Sequence, residues 1–506
     1  MWHIPKFQRR YRPLDRHAAS PPTDADIDHD PSLDALARSF VACVPEFNRG
    51  CLAAFAANLS STRSLDYSTL CAGTDVPVLG MNSLVRELQH LCSTAIPVDH
   101  TFACEIRADK QDFLKTMYPS LKCLVKDVKE LSGDTVNDLI SKQCLDMPRT
   151  KGAYGGFPCQ DASLLSQSSR SASNMTCVLE GSLRTGSVFR NLMKYLSVHD
   201  LDWAILENVL NLARGSKHNK GISNLDACCH LLSTELDMFI FVLELTPSFF
   251  GRLTSRNRLY LLCVRRRILA AAGVSDDEAE AICRKIIDCL VGQPRLHMDR
   301  VLLPEGHAWV RESLRQGLMR PSQSRPISTK HYDSFRRAGM DWSVPSPFHA
   351  AGSREMFPGI AHLADRQIDI LDRHHFQVPE ASPRTLDVSM SMSFAKPRVG
   401  ATSCLSSGSE MWIGHRVRMA LGAEHLRLHG IQFPNEPELA SFPGSLLRDL
   451  AGNSFDSSCC LAVQVTQTCL LAVCHVRRTA LTSLSLVRPS NLAAVDDNLE
   501  SASAAD

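Results

Sequence analysis

The segment Gly155-Gly156-Phe157-Pro158-Cys159-Gln160-Asp161-Ala162-Ser163 sets a thiol beside a proline, ahead of a serine-rich run from Ser163 to Ser173. Pro158 fixes its own φ and biases Phe157 towards extended geometry, so the backbone that carries Cys159 is stiff. A cysteine held at the mouth of a loop can be exposed and nucleophilic. Glu207 is the next candidate, a carboxylate at the end of the apolar run Trp203-Ala-Ile-Leu-Glu207-Asn208-Val209. Arg256-Asn257-Arg258 opens the last apolar run with two cations. Upstream, Leu70-Cys71-Ala72-Gly73-Thr74-Asp75 leaves the first apolar run, Glu105 ends the second and Asp127 follows the third. Ligands of open α/β sheets bind at the carboxyl ends of strands, and these residues fall there.

The elements that must position them alternate. Short apolar runs at 67–71, 101–105, 121–125, 203–206, 238–245 and 258–264 suit strands. Amphipathic stretches near 77–90, 109–117, 134–143, 187–197 and 223–236 suit helices, so Gly155 is expected to follow a helical segment. Strand–helix alternation predicts an α/β class fold with a doubly wound sheet, and runs apolar on both faces fit strands covered from two sides. The runs at 238–245 and 258–264 leave no room for a helix between them and are expected to pair antiparallel.

The chain has 506 residues and a net charge of +1, a balance that excludes a polybasic protein but not an enzyme with one basic face. Between Arg252 and Arg337 there are 17 Lys+Arg against 9 Asp+Glu, which fits either a solvated surface or one facing a nucleic-acid duplex. No run of about 18 apolar residues is seen, so no transmembrane helix and no membrane partner are expected. The N-terminus lacks the apolar core of a secretory signal. Nineteen cysteines, an odd number with no C-x-x-C pair, predict mostly buried thiols in a reducing compartment and no metal site. The expected organisation is a disordered and helical extension over 1–64, a main domain from 65–266 and 411–476, a second domain over 267–410 and a disordered tail over 477–506.

In their order these segments resemble the C5-cytosine-specific DNA methyltransferase family. The matching pieces are the Gly73 turn, Cys104-Glu105-Ile106, Lys126-Asp127-Val128, Phe157-Pro158-Cys159-Gln160, Glu207-Asn208-Val209, Arg256-x-Arg258 and Gly452-Asn453-Ser454-Phe455. Leu426 to Pro434 looks like the family's Arg-Leu-Gln-Gly-Phe-Pro segment with one residue inserted. The match covers about 65–265 and 415–465. It implies a Rossmann-like S-adenosylmethionine-dependent methyltransferase sheet, with 267–410 as the smaller target-recognition domain.

The resemblance implies roles. Cys159 matches the nucleophile that adds to C6 of cytosine. Glu207 matches the acid at N3, Arg258 the arginine that contacts the base and Arg256 its partner near the site. For S-adenosylmethionine, the implied residues are Cys71, Gly73 and Thr74 at the first turn, Glu105 for the ribose hydroxyls, Ile106 and Asp127 for the adenine, and Asn453 and Ser454 from the C-terminal segment. Arg184 is a candidate phosphate contact, and the serine-rich run is the candidate closing loop. The implied substrate is double-stranded DNA with the target base flipped out, and the implied location nuclear. RNA as substrate, in the manner of the family's transfer-RNA branch, and a catalytically silent DNA-binding relative are the alternatives. Two departures bear on these roles. Thr74-Asp75-Val76 stands where the family has further glycine, with Asp75 a candidate cap of the next helix and an extra carboxylate near the cofactor. Leu253-Thr254 stands in place of Pro-Gln before the arginine pair.

Overall fold

A computed structural model describes residues 10–14, 29–62, 64–163, 172–215, 221–319, 357–360, 363–375 and 383–487. The main sheet has eight strands: β1 (Arg10–Tyr11), β2 (Leu65–Leu70), β3 (Val98–Cys104), β4 (Leu124–Val125), β7 (Gly152–Gly155), β8 (Trp203–Val209), β9 (Met238–Leu245) and β10 (Arg258–Arg265). The short strands β5 (Thr135–Asn137) and β6 (Cys144–Asp146) pair apart from it. The spatial order is β1-β9-β10-β8-β7-β2-β3-β4. Neighbours β2, β3, β4, β7 and β8 run parallel, while β10 is antiparallel to both β8 and β9, as the short 246–257 connection requires.

Strand alternation splits the core into two layers. Trp203 and Ile205 enter the layer on one face of the sheet, Ala204 and Leu206 the layer on the other. Helices α1 (Leu33–Cys43), α2 (Glu46–Thr62) and α3 (Val76–Cys92) contribute to the first layer. Helix α4 (Ala108–Met117) joins them there. Helices α5 (Ala172–Glu180), α6 (Leu183–Val198) and α7 (Asn224–Glu235) cover the second. The doubly wound Rossmann-like sheet expected from the sequence is therefore present. The chain steps outward through β2, β3 and β4, then returns to β7 on the other side of β2. That reversal opens a crevice at the carboxyl ends of β2 and β7.

Several expectations are corrected. The stretch before Gly155 is strand β7 and not a helix. Its sequence, Gly-Ala-Tyr-Gly, carries no apolar alternation, and a Cβ on Gly152 would fall 1.9 Å from the Trp203 ring, so glycine is needed for that close approach. The helix expected near 134–143 is replaced by the β5–β6 pair. The Asp138 carboxylate accepts from the backbone N–H groups of Leu124, Ile140 and Ser141, a local alternative to helical bonding. The described residues of the 1–64 segment form the helices expected there but pack into the main domain and not as a separate extension, while 1–9, 15–28 and 63 lie outside the described residues. β1 pairs parallel with β9, Tyr11 donates to Asp288 at 2.5 Å, and α1, capped by Ser32, is buried in the main core.

The 267–410 segment also divides. Helices α8 (Arg266–Ala271) and α9 (Asp276–Leu290) bury Leu269, Cys283, Ile286, Ile287 and Leu290 in the core of the main sheet. The second unit begins beyond them. It contains α10 (Ala308–Met319) and α11 (Asp365–His375), and a four-stranded sheet ordered β12-β11-β13-β14. Those strands are β11 (Arg384–Asp387), β12 (Arg398–Val399), β13 (Met411–Ile413) and β14 (Arg418–Met419). After it come α12 (Gly422–Leu428), α13 (Gly444–Asn453) and α14 (Ser457–Val487). The last passes the boundary set for the tail at 477; residues 488–506 lie outside the described residues. The run from Gly444 to Ser483 is long and apolar enough by length and composition to cross a membrane, but 83% of its apolar window is buried in this fold. Helix α14 spends that surface against α2, α3 and α9.

Candidate active site

The turn after β2 holds three left-handed residues, Cys71 (φ 56°), Gly73 (φ 55°) and Asp75 (φ 55°). Only Gly73 takes this conformation without a Cβ penalty. Its N–H donates to Glu105 Oε2 at 3.0 Å, and the N–H of Arg107 donates to Oε1 at 3.0 Å. A carboxylate has about four lone-pair sites, so two remain for other donors. Gln111 holds the Glu105 carbonyl at 2.7 Å, which fixes the end of β3.

Cys71, Gly73, Glu105 and Arg107 line a solvent-open cleft of about 1210 Å³ with Ile106, Asp127, Cys159, Glu207, Arg258 and Asn453. Ile106 is 50% exposed there, an apolar side chain presented to a ligand rather than to the core. Asp127 accepts from the Lys129 N–H through one oxygen. A half-exposed apolar face between two carboxylates, beside a turn with no Cβ, fits the adenosine part of S-adenosylmethionine. Cys71 also lines the cleft, its thiol pushed up to about 12 by burial and then by Glu105. Thr74 and Ser454 do not line it. Thr74 is buried and its carbonyl accepts from Tyr118, while the Ser454 hydroxyl donates to the Ala451 carbonyl. Asn453 stands at the rim and donates to Asp449.

Asp75 makes no cap bond to α3. Its side chain is fully buried away from the cleft, with Oδ2 3.6 Å from His100 Nε2. Thr69 and His100 are hydrogen-bonded at 2.9 Å beside it. The extra carboxylate is thus kept clear of the cofactor residues, and the altered turn is braced by Tyr118, which also donates to the Asp75 carbonyl.

The other end of the cleft holds the reactive groups. Cys159 follows β7 on the stiff Phe157-Pro158 segment, and Asn208 secures that segment by donating to the Phe157 carbonyl at 3.0 Å. Glu207 lies on β8, where the antiparallel register sets Arg258 opposite Val209 and Tyr260 opposite Glu207. Arg258 Nε therefore stands 3.1 Å from Glu207 Oε1, close enough for an ion pair but not aligned as a hydrogen bond. Burial raises the Glu207 pKa, against the pull of Arg258 and Arg256. Burial and then Glu207 raise the Cys159 pKa, against the same two arginines. The resting site thus favours a protonated thiol.

Arg256 lines the same cleft as Arg258, the place expected of its partner near the site, with its guanidinium turned to backbone carbonyls. Its guanidinium donates to the carbonyls of Leu405, Gly452 and Ser454 at 2.8, 2.9 and 2.9 Å. It binds the second unit and the C-terminal segment to the loop carrying Arg258, and is a positioning residue. The substituted Thr254 does similar work: its hydroxyl faces the Leu428 carbonyl at 3.2 Å and Asp456 at 3.4 Å.

Arg184 is exposed at the cleft beside Val188. The serine-rich run falls largely outside the described residues. The first part of the basic excess after Arg252 is not an open field of charge, while residues 320–337 lie outside the described residues. Arg252 and Arg256 are buried, and Arg265, Arg266 and Arg267 pair with Asp200, Asp237, Asp276 and Asp202. Among the described residues no group of three or more His, Cys, Asp or Glu could hold a metal ion. Sequence reasoning missed Arg107, Lys110 and Asp449, which also line the cleft; no spacing marks them, because the fold brings them together from distant segments.

No family model matches the chain. A curated relative, the DNA (cytosine-5-)-methyltransferase DMT5 of Cryptococcus neoformans var. grubii serotype A, is 22% identical over 450 residues, or 82% of this chain. The chain spans only 17% of that relative's length. Among solved structures, the Dnmt2 methyltransferase of S. pombe aligns with 80% of this chain and 98% of its own at 14% identity and a TM-score of 0.41. The Entamoeba histolytica methyltransferase EhMeth aligns with the same shares at 10% identity and a TM-score of 0.41. Likenesses this distant add no weight to the geometry. On its ordered motifs, its Rossmann-like sheet, its cleft for S-adenosylmethionine and its curated relative, the chain is similar to the C5-cytosine-specific DNA methyltransferase family.

Proposed function

We propose that the chain transfers a methyl group to C5 of cytosine in double-stranded DNA, with the target base flipped out of the helix and Cys159 as nucleophile. The observation that carries this reading is the joining of two sets of groups in one cleft. Cys159, Glu207 and Arg258 stand at one end, and Glu105, Ile106 and Asp127 at the other. S-adenosylmethionine, when bound, supplies an electrophilic methyl group. Glu105 would hold its ribose hydroxyls, Ile106 and Asp127 its adenine, and the Gly73 turn with Asn453 its amino-acid part.

The residues of this chain then act on the base. Cys159 loses its thiol proton to water and its sulfur bonds to C6, while Glu207 gives a proton to N3. The electron pair of the C5–C6 double bond becomes available at C5 for the new bond to the methyl carbon, whose bond to the donor sulfur would break as the thioether leaves. Arg258 holds Glu207 in place and offsets the negative charge that forms beside it. Loss of the C5 proton to water and return of the N3 proton to Glu207 restore the double bond, and the carbon–sulfur bond breaks. Nuclear residence follows from this substrate.

The test is transfer of a labelled methyl group to duplex DNA and to transfer RNA by wild type and by Cys159→Ser. Label on DNA from wild type alone supports the reading. Label on transfer RNA alone moves the substrate to RNA. Equal counts from the two proteins remove the enzymatic reading, as for a silent relative. A duplex containing 5-fluorocytosine should form a covalent complex with wild type that survives denaturation and not with Cys159→Ser.

A further inference from the structure

The cofactor end of the cleft has two walls from distant parts of the chain. One is the junction of β3 and α4, with Ile106, Arg107 and Lys110; the other is the C-terminal half of α13, with Asp449, Gly452 and Asn453. A single carboxylate joins them. Asp449 Oδ2 lies 2.7 Å from Arg107 Nη1 and 3.1 Å from Lys110 Nζ. Asn453 donates to Oδ1 of the same carboxylate at 2.9 Å, so both of its oxygens meet cleft-lining groups. The Lys110 side chain is 7% exposed and that of Asp449 20% exposed. An ion pair so screened from water is lost at a cost when one partner is removed, because the other is left buried and uncompensated.

We propose that Asp449 is the clasp of the cofactor cleft, a positioning residue whose ion pairs hold α13 against the β3–α4 wall over the bound S-adenosyl group. The proposal rests on the S-adenosylmethionine reading of the cleft. Ile106 immediately precedes Arg107, so the clasp also sets the apolar surface that meets the adenine. Arg256 donates to the carbonyls of Gly452 and Ser454, so the end of α13 is also tied to the loop before β10, and Asp449 supplies its tie to the β3–α4 wall. Release of the ligand then requires the two ion pairs to break.

The test uses the full chain and S-adenosylhomocysteine as probe, with calorimetry for affinity and stopped-flow fluorescence for release. The variants are Asp449→Asn, Lys110→Met and the double variant, with Arg107→Gln as an exposed substitution that leaves the buried pair in place. Asp449→Asn is expected to weaken binding and speed release about tenfold, Lys110→Met similarly, and the double variant no more than either alone, since partners in one pair are not additive. Arg107→Gln is expected to show a smaller effect of about threefold, since its pair is more exposed. Unchanged binding in Asp449→Asn and Arg107→Gln, effects that multiply in the double variant, or tighter binding on loss of the carboxylate would each overturn the clasp. Wild type that binds no S-adenosylhomocysteine would overturn the cofactor reading and the clasp with it. If Asp449→Asn does not fold, Arg107→Gln alone decides.

Discussion

Arg258 Nε stands 3.1 Å from Glu207 Oε1 because strand register puts it there: Arg258 is the first residue of β10, opposite the last residue of β8. The pair governs the protonation of the site. Arg258 lowers the pKa of both Glu207 and Cys159, against the burial that raises them. Arg258→Met removes that pull, so both groups hold their protons to higher pH. The pH profile of kcat/KM is expected to move to the alkaline side as a whole, with a maximum lowered about 10²-fold. A profile that falls without moving would mean that Arg258 binds substrate but does not set these protonation states. Glu207→Gln keeps the shape and loses the transferable proton, and is expected to lower kcat by about 10²–10³.

The same substitution has an opposite effect on the thiol. Glu207 is the largest influence after burial that holds Cys159 protonated. Removing its charge lowers the thiol pKa and raises the thiolate fraction at pH 8. Alkylation of Cys159 by iodoacetamide, followed by peptide mass spectrometry, is expected to be about threefold to tenfold faster in Glu207→Gln than in wild type, while methyl transfer is slower. Slower alkylation in the variant would show that the carboxylate does not act on the thiol through charge.

The strands that carry the site were legible because each is a continuous apolar run that must be covered on both faces. The site residues follow from them, since Glu105, Asp127 and Glu207 lie at or near strand carboxyl ends. Strand β7 was not legible: its Gly152 makes room for the Trp203 ring, a tertiary requirement that leaves no periodic trace. Helix α9 was hidden by charge. Its exposed face carries Asp276, Asp277, Glu278 and Arg284, while Cys283, Ile286, Ile287 and Leu290 pack inward. The backbone contacts of Arg256 were not legible for another reason. The two arginines are two residues apart, a spacing that would share one face of a strand, but β10 begins only at Arg258; Arg256, ahead of it, turns to the carbonyls of Leu405, Gly452 and Ser454, while Arg258 faces Glu207.

Gly452 tests the anchoring by Arg256. A Cβ there would lie 2.1 Å from Ser407 N and 2.2 Å from Ser406 C, both backbone atoms that cannot give way cheaply. Gly452→Ala is expected to separate α13 from the 405–407 segment, whose carbonyls Arg256 holds together. The cost is about 1–3 kcal/mol of stability, and kcat is expected to fall by about 10-fold to 10² through misplacement of Arg258. Gly408, whose Cβ would meet nothing within 4 Å, is the control: Gly408→Ala should leave melting temperature and rate unchanged. Equal behaviour of the two variants would detach Arg256 from catalysis.

Asp75 and His100 predict how stability depends on pH. Burial pushes Asp75 up to about 8 and His100 down to about 4, so each is held neutral in the fold. Thr69 and Tyr67 surround them, Tyr118 and Cys460 stand further off, and Asp99 is the nearest other acid to His100. A raised carboxyl pKa gives stability that is complete below the unfolded value of about 4 and is lost as pH rises through about 8. A depressed imidazole pKa acts in the other direction. Its stability is complete above the unfolded value of about 6.5 and is lost as pH falls through about 4. Asp75→Asn removes only the first dependence. The variant is expected to melt a few degrees above wild type at pH 8.5 and to lose most of that advantage by pH 5.5, because folded Asp75 is already protonated there. His100→Gln is expected to do the reverse, gaining on wild type only below about pH 6. Melting curves from pH 5 to 9 that stay parallel for wild type and Asp75→Asn would show that the Asp75 carboxyl ionises in the fold as freely as in the unfolded chain.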